Sequence, residues 1–389
     1  MAQEAPGAGA ATVARVQQVD GASPGSAWFA GVEATGVLES VDLSRDDTPL
    51  RSGGFWAVVG DFEGPVRAWR FADVRRPGPE PVRASGRGPG APAAPGAPVA
   101  VVRGWRGPDP DAWRSTLERA AYCDRVEGIR EAIRQGDVYQ VNLCRVLQAP
   151  LDPSADGTEP DARALARVLD HGNPAPYSGG VHVPGDGRFP PVWVVSASPE
   201  LFLRVADGFV TSGPIKGTAP SPAGLTDKDR AENVMIADMV RNDLQRVGLP
   251  GTVEVTELLA VEHHPGLVHL VTTVRARLRP DAGWTDLLTA TFPPASVSGA
   301  PKHSALEHIR RVEPGPRGPY CGTIGWIDAD RGTAELAVGI RGFWWRPDDG
   351  GQLRFGTGAG ITWDSDAGRE WAETELKAHR LVALASGAG

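Results

Sequence analysis

The chain has 389 residues, 41% of them hydrophobic and 23% charged, which is ample for one large buried core or two. Its formal net charge of −8, with Lys and Arg scattered along the chain, argues against a general nucleic-acid binder. No apolar run approaches the roughly 18 residues of a membrane span.

Residues 1–25 are Ala/Gly-rich, without the basic start or apolar core of a secretory signal, and are expected to form a flexible tail. The N-terminal part of the fold, residues 26–111, follows. Within it, residues 28–72 alternate small, apolar and turn residues and predict short antiparallel strands. Residues 75–98, crowded with Pro, Gly, Arg and Ala, predict a mobile surface loop.

The pattern tightens in the stretch 112–389, which is expected to carry the chemistry. Helical periodicity over 112–135 stops at Gly136, and residues 137–147 alternate like a half-buried strand. Further helices are predicted at 161–170, 228–247, 283–290, 301–311 and 366–386. Strands are predicted at 192–197, 201–205, 209–212, 252–260, 268–278, 320–328, 334–345 and 352–357. Strand runs interrupted by helices, with no regular β-α alternation, place the chain in the α+β class, with antiparallel sheets flanked by helices. Cys123, Cys144 and Cys321 have no paired spacing and read as core fillers of a soluble protein in a reducing cytoplasm.

Two acidic patterns carry the first chemical suggestion. In Glu370-Trp-Ala-Glu373-Thr-Glu-Leu-Lys377, helical spacing puts Glu370, Glu373 and Lys377 on one stripe. Asp229 and Glu232 share a stripe on the helix predicted at 228–247. Brought together, the two make an all-oxygen site suited to Mg²⁺; kept apart, they are two solvated acidic faces. Before the last helix, Gly356-Thr-Gly358-Ala359-Gly360 reads as a plain turn or as a cradle of backbone N–H groups for an anion. Ser296-Val-Ser298-Gly299-Ala-Pro301 precedes a second helix start of anion-attracting type. Lys216, in Pro214-Ile-Lys216-Gly217-Thr218, is either a surface lysine or a nucleophile, and the second role needs its neutral form. His269 alternates with apolar neighbours and is either core or a hydrogen-bond donor to a departing hydroxyl. Glu200 becomes a candidate general acid if burial raises its pKa.

In this order, the motifs resemble those of the chorismate-utilising synthases. The matching stretches are Gly136-Asp-Val-Tyr-Gln-Val-Asn-Leu, Ser198-Pro-Glu-Leu-Phe-Leu, Pro214-Ile-Lys-Gly-Thr and Asp227-Lys-Asp-Arg-Ala-Glu-Asn. They continue with Val240-Arg-Asn-Asp-Leu, Ser296-Val-Ser-Gly-Ala-Pro-Lys, Arg317-Gly-Pro-Tyr-Cys-Gly, Gly358-Ala-Gly-Ile and Glu370-Trp-Ala-Glu-Thr. The resemblance implies a sandwich of two packed, mainly antiparallel sheets with helices outside. It implies Mg²⁺ on Glu232 and Glu373, helped by Asp229 and Glu370, holding the ring carboxylate of chorismate. Arg341, Gly358, Ala359, Gly360 and Lys377 resemble the other carboxylate grips, with Ser298, Gly299, Gly217 and Thr218 lining the site. Glu200 matches a general acid for loss of the C4 hydroxyl, and His269 the residue facing that leaving group.

Two positions separate branches of that family. Gln140 stands where water-using relatives carry a lysine base, which suits attack by ammonia. Lys216 stands where anthranilate synthases carry alanine, and resembles the lysine with which aminodeoxychorismate synthases attack C2. Ala219 and Ser221 depart from the arginines usual after the lysine, and Pro294-Ala295 from a Gly-Gly pair. Leu38, Glu39, Ser40, Pro176 and Tyr177 resemble segments of a tryptophan pocket in these relatives, which makes tryptophan a possible ligand. No glutaminase signature is found, so ammonia is expected from a separate glutamine amidotransferase subunit.

Overall fold

The computed structural model describes residues 22–76, 104–152, 159–185, 188–264, 267–347 and 350–387, with His264 described by its backbone alone. Most of the expected tail and of the 75–98 loop lies outside these residues. Ser23, placed in the tail by its sequence, instead opens a strand.

Every ladder is antiparallel. The N-terminal strands are β1 (Ser23–Phe29), β2 (Val32–Asp42), β3 (Phe55–Gly60) and β4 (Val66–Arg75). β5 (Arg114–Ser115) leads into helix α1 (Arg119–Gln135), followed by β6 (Gln140–Pro150), α2 (Ala162–Gly172), β7 (Tyr177–Val183) and β8 (Val192–Ser198). Next come β9 (Leu201–Ala206), β10 (Phe209–Gly213), β11 (Ile215–Ala219), α3 (Asp227–Gln245), β12 (Glu254–His264) and β13 (Leu267–Arg277). The chain closes with α4 (Trp284–Thr291), β14 (Gly299–Ala300), α5 (Lys302–Val312), β15 (Thr323–Asp328), β16 (Thr333–Val338), β17 (Gly342–Arg346), β18 (Gln352–Ile361) and α6 (Ala367–Ala385).

The pairings run without a break from β6 through β18, β17, β8, β7 and β1 to β2. From β2 they pass through β4, β3, β15, β16, β9 and β10 to β13. At one end β5 and β14 add to β6; at the other β11 and β12 add to β13. The expected sandwich of two separate sheets is therefore corrected to one curled sheet. β1, paired on one side with β2 and on the other with β7, joins the N-terminal strands to the rest of the sheet, so no free edge separates two layers. The curl encloses a core that contains all of β3 and most of β6.

Helix boundaries follow local chemistry. α1 buries Tyr122, Val126, Ile129 and Ala132, a stripe at helical spacing, and ends at left-handed Gly136. It begins at Arg119 rather than 112, because residues 114–115 pair with β6. α3 starts at a capping box in which Thr226 and Asp229 satisfy each other's backbone groups. The strand expected over 334–345 is broken in two, and Arg341 sits in the break at φ 59°. β7 was not among the expected strands; its Gly179 and Gly180 lie so close to β1 that a Cβ at either would collide with Phe29 or Trp28. Among the described residues, no helix is long and apolar enough to cross a membrane.

A buried ion pair fastens α5 to the sheet. Arg317, 1% exposed, donates to Glu313 at 2.6 and 2.8 Å, to the Asn142 carbonyl at 2.7 Å and to the Val297 carbonyl at 2.9 Å. Glu313 also accepts from the Cys144 N–H at 2.8 Å. Arg317→Ala would leave Glu313 charged and unpaired, so we expect a loss of about 3–5 kcal/mol in chemical denaturation. The double variant Arg317→Met/Glu313→Leu, which removes both charges, is expected to lose less.

Candidate active site

The site lies where the two ends of the curled sheet meet. From one end come Gln140 on β6 and Gly358–Gly360 on β18; from the other come Lys216 and Thr218 on β11 and His269 on β13. Gly360 marks the junction: a Cβ there would stand 2.5 Å from Gln140 Nε2 and 3.1 Å from Lys216 Nζ. Gly217 is required twice over, by its φ of 88° and because a Cβ would lie 2.8 Å from Asp229 Cβ at the start of α3. Thr218 Oγ1 is 2.8 Å from His269 Nδ1 across the β11–β13 pair.

Glu200 is 4% exposed, in the turn between β8 and β9. Burial pushes its carboxyl up to about 7, against the opposing pull of a Ser296 hydrogen bond, Lys216, the Ile215 N–H and Lys377. Its Oε1 has no hydrogen-bond partner, nor has Oε1 of Gln140, which is 1% exposed. Two buried, unsatisfied oxygens in one region are what a polar ligand would repair.

The acidic helices do converge. Lys228 Nζ lies 3.6 Å from Glu232 Oε1 on α3 and 3.8 Å from Glu370 Oε1 on α6. A protein ammonium thus bridges one carboxylate from each helix. Glu373 pairs with Lys377 at 2.5 Å; burial works against its ionisation, but Lys377 and, more weakly, Lys216 and Lys228 hold its carboxyl below the ordinary range. Burial, with the nearby Glu373 charge, raises Glu370. Among the described residues no three His, Cys, Asp or Glu side chains already form a set able to hold a metal ion. The donors nonetheless suit a hard divalent cation: all are carboxylate oxygens, and Lys228, 45% exposed, occupies a place from which it can withdraw.

Other expected residues divide by role. Lys377 Nζ donates to the Gly358 carbonyl at 2.9 Å, and Arg341 donates to the Lys377 carbonyl at 2.8 Å, so these three form one linked group. Ala359, 1% exposed, faces the core between the two glycines. Asp229 uses Oδ2 to accept from the Thr226 N–H and hydroxyl, which gives it the work of a cap at the head of α3. The Ser298 hydroxyl donates to the Pro294 carbonyl at 3.1 Å and braces the loop, while the Asn142 N–H donating to the Ser298 carbonyl at 2.9 Å and the pairing of Gly299 with Val141 fasten the loop to β6. Ala219, at a departure from the family pattern, packs with Leu225, Val268 and Leu270 in a small apolar cluster. Leu38, Glu39 and Ser40 stand on β2, while Pro176 precedes and Tyr177 opens β7, with β1 between the two strands. The Glu39 carboxylate is 3.1 Å from Arg70.

Sequence reasoning gave no role to Lys228 or Ser296. Lys228 was findable, since it sits four residues before Glu232 on a helix. Ser296 had no such signal, because its contact with Glu200 is set by the meeting of distant segments.

Over 283 residues the chain is 38% identical to aminodeoxychorismate synthase component 1 of Salmonella typhimurium, covering 70% of this chain and 59% of that protein. It is equally 38% identical, over 303 residues, to anthranilate synthase component 1 1 of Halobacterium salinarum, covering 73% of this chain and 54% of that one. The chain therefore spans less than two thirds of the length of these relatives. Its fold is similar to that of a putative 2,3-dihydroxybenzoate-specific isochorismate synthase from Bacillus anthracis, with TM-score 0.71 and 22% identity over 95% of this chain and 98% of that one. It is likewise similar to anthranilate synthase component I from Streptococcus pneumoniae TIGR4, with TM-score 0.67 and 23% identity over 96% and 95% of the two chains. The profile of the chorismate binding enzymes matches residues 104–383, and the chain belongs to that family.

Proposed function

We propose that the chain acts as component I of an aminodeoxychorismate synthase, converting chorismate and ammonia to 4-amino-4-deoxychorismate and water. The observation that carries this reading is the place of Lys216 at the sheet junction, its Nζ 3.1 Å from where a Cβ on Gly360 would stand, with Glu200 near enough to feel its charge. In the proposed sequence the neutral Lys216 amine bonds to C2 of chorismate and the C4 hydroxyl leaves as water. Glu200 supplies the proton, and His269 hydrogen-bonds the departing oxygen. Ammonia then bonds to C4, the C2–N bond to Lys216 breaks with its electron pair returning to the amine, and the surplus proton on the new C4 nitrogen restores the Glu200 carboxyl. Arg341, Lys377 and the Gly358–Gly360 backbone would orient the carboxylates, while buried Gln140 offers an amide and no base to activate water.

Glu232, Glu370 and Glu373 would hold Mg²⁺. When bound, the ion supplies positive charge to a substrate carboxylate. We assign the ammonia supply to a glutamine amidotransferase partner, as the "component 1" names of relatives suggest. The test is incubation with chorismate, Mg²⁺ and ammonium, followed by mass spectrometry. Aminodeoxychorismate is expected, and chelation with EDTA should lower its formation at least tenfold. Anthranilate with pyruvate, the outcome favoured by the equally similar anthranilate synthases, would overturn the reading.

A further inference from the structure

We propose that Cys144 and Cys321 form a buried oxidation site, which hydrogen peroxide converts to a reversible disulfide that disturbs the neighbouring carboxylate grips. Their sulfurs stand 3.9 Å apart although 177 positions separate the two cysteines along the chain. A disulfide needs about 2 Å between sulfurs, so the pair must close a gap of roughly 2 Å. Both backbones are held: the Cys144 N–H donates to Glu313 at 2.8 Å and the Cys321 N–H to the Gly339 carbonyl at 2.7 Å. Cys144 is suited to the first step. Asn142 Nδ2 donates to its sulfur at 3.1 Å, and the Arg317 guanidinium is near enough to favour a thiolate there. Burial opposes that charge and pushes the Cys144 thiol up, which makes the oxidation slow. Cys144 also lines a cavity of about 260 Å³ with Arg145, Arg317 and Trp344, roomy enough to admit a peroxide. In the reaction the Cys144 thiolate bonds to one peroxide oxygen, the O–O bond breaks, and hydroxide leaves with the thiol's proton as water. The Cys321 sulfur then displaces the oxygen of the Cys144 sulfenic acid, which departs with the Cys321 proton as a second water. The consequence reaches the site through strand register. Cys144 pairs with Gly358, and a Cβ on Gly358 would stand 2.7 Å from Cys144 Sγ, so the sulfur already fills the space this glycine leaves. The Gly358 carbonyl accepts from Lys377, so a displaced Cys144 is felt at that contact.

The test is exposure of the full chain to hydrogen peroxide, followed by intact-mass measurement and non-reducing peptide mapping. A mass about 2 Da lower and a cross-linked peptide joining Cys144 to Cys321 are expected, with Cys123 still a free thiol. Chorismate consumption with Mg²⁺ and ammonium should fall roughly tenfold or more and return on reduction with dithiothreitol. Cys321→Ser should form no cross-link and consume chorismate at the rate of the reduced wild type. Thiols that stay reduced, or a Cys144 oxidised without cross-linking, would overturn the inference, as would a disulfide that leaves consumption unchanged. The wild-type mass and activity decide the matter even if Cys321→Ser fails to fold. A chain that forms the disulfide yet consumes no chorismate when reduced would count against the proposed reaction and leave the oxidation site standing.

Discussion

Replacing Lys216 with alanine is expected to reduce aminodeoxychorismate formation by roughly 10³-fold or more, since a covalent nucleophile cannot be replaced by binding alone. The lysine is set for attack by its backbone: Gly217 turns the strand at φ 88° and lets β11 lie against the head of α3. Glu200 and Glu373 both lie near enough to Lys216 to feel its charge. A complementary change supports the same geometry from the other side. Gly360→Ala would put a methyl 2.5 Å from Gln140 Nε2 and 3.1 Å from Lys216 Nζ, forcing one or both to move, and should lower kcat while the fold survives. Both variants are read by quantifying aminodeoxychorismate with chorismate, Mg²⁺ and ammonium in excess. Undiminished product from Lys216→Ala would rule out the C2 adduct.

The contrast between Lys216 and Ser296 shows which parts of this site a sequence can reveal. Lys216 stays open between surface lysine and nucleophile in its Pro-Ile-Lys-Gly-Thr frame until the family resemblance singles it out, whereas the repeated helical spacing already sets Glu232 and Glu373 on acidic stripes. The encounter of α3 with α6 is harder to foresee, yet their facing stripes are visible once both helices are drawn. What stays hidden is closure. Nothing in the local pattern says that β1 joins the N-terminal strands to β7, so two sheets were expected where one curls round. The break at Arg341 is hidden for the same reason. Its apolar neighbours read as continuous strand, while the left-handed turn is imposed by β16 pairing with β9 and β17 with β8. Asp229 shows a different limit, for the residue is acidic and at the right spacing, but the capping box of Thr226 claims its Oδ2. Sequence spacing locates carboxylates; only the assembled structure says which of their oxygens are already engaged.

Glu200 should make catalysis fall as pH rises through about 7, because burial holds its carboxyl protonated up to that value and the proposed step consumes that proton. Glu200→Gln keeps a hydrogen-bond donor of similar shape and cannot transfer a proton, so kcat should drop about 10²-fold or more and lose this basic limb. The same group leaves a separate trace in stability. Its folded pKa of about 7 stands above the ordinary 4.5, so the folded state holds the proton more tightly than the unfolded one. Stability from this source is complete below pH 4.5 and is lost as pH climbs through 7, by about 3 kcal/mol in all. The glutamine variant has no proton to lose, so its stability relative to wild type should improve across that interval. Denaturant titrations of both proteins at pH 5 and pH 8 measure the change. A constant difference between them would mean that Glu200 is ionised throughout, and the general-acid assignment would fall with it.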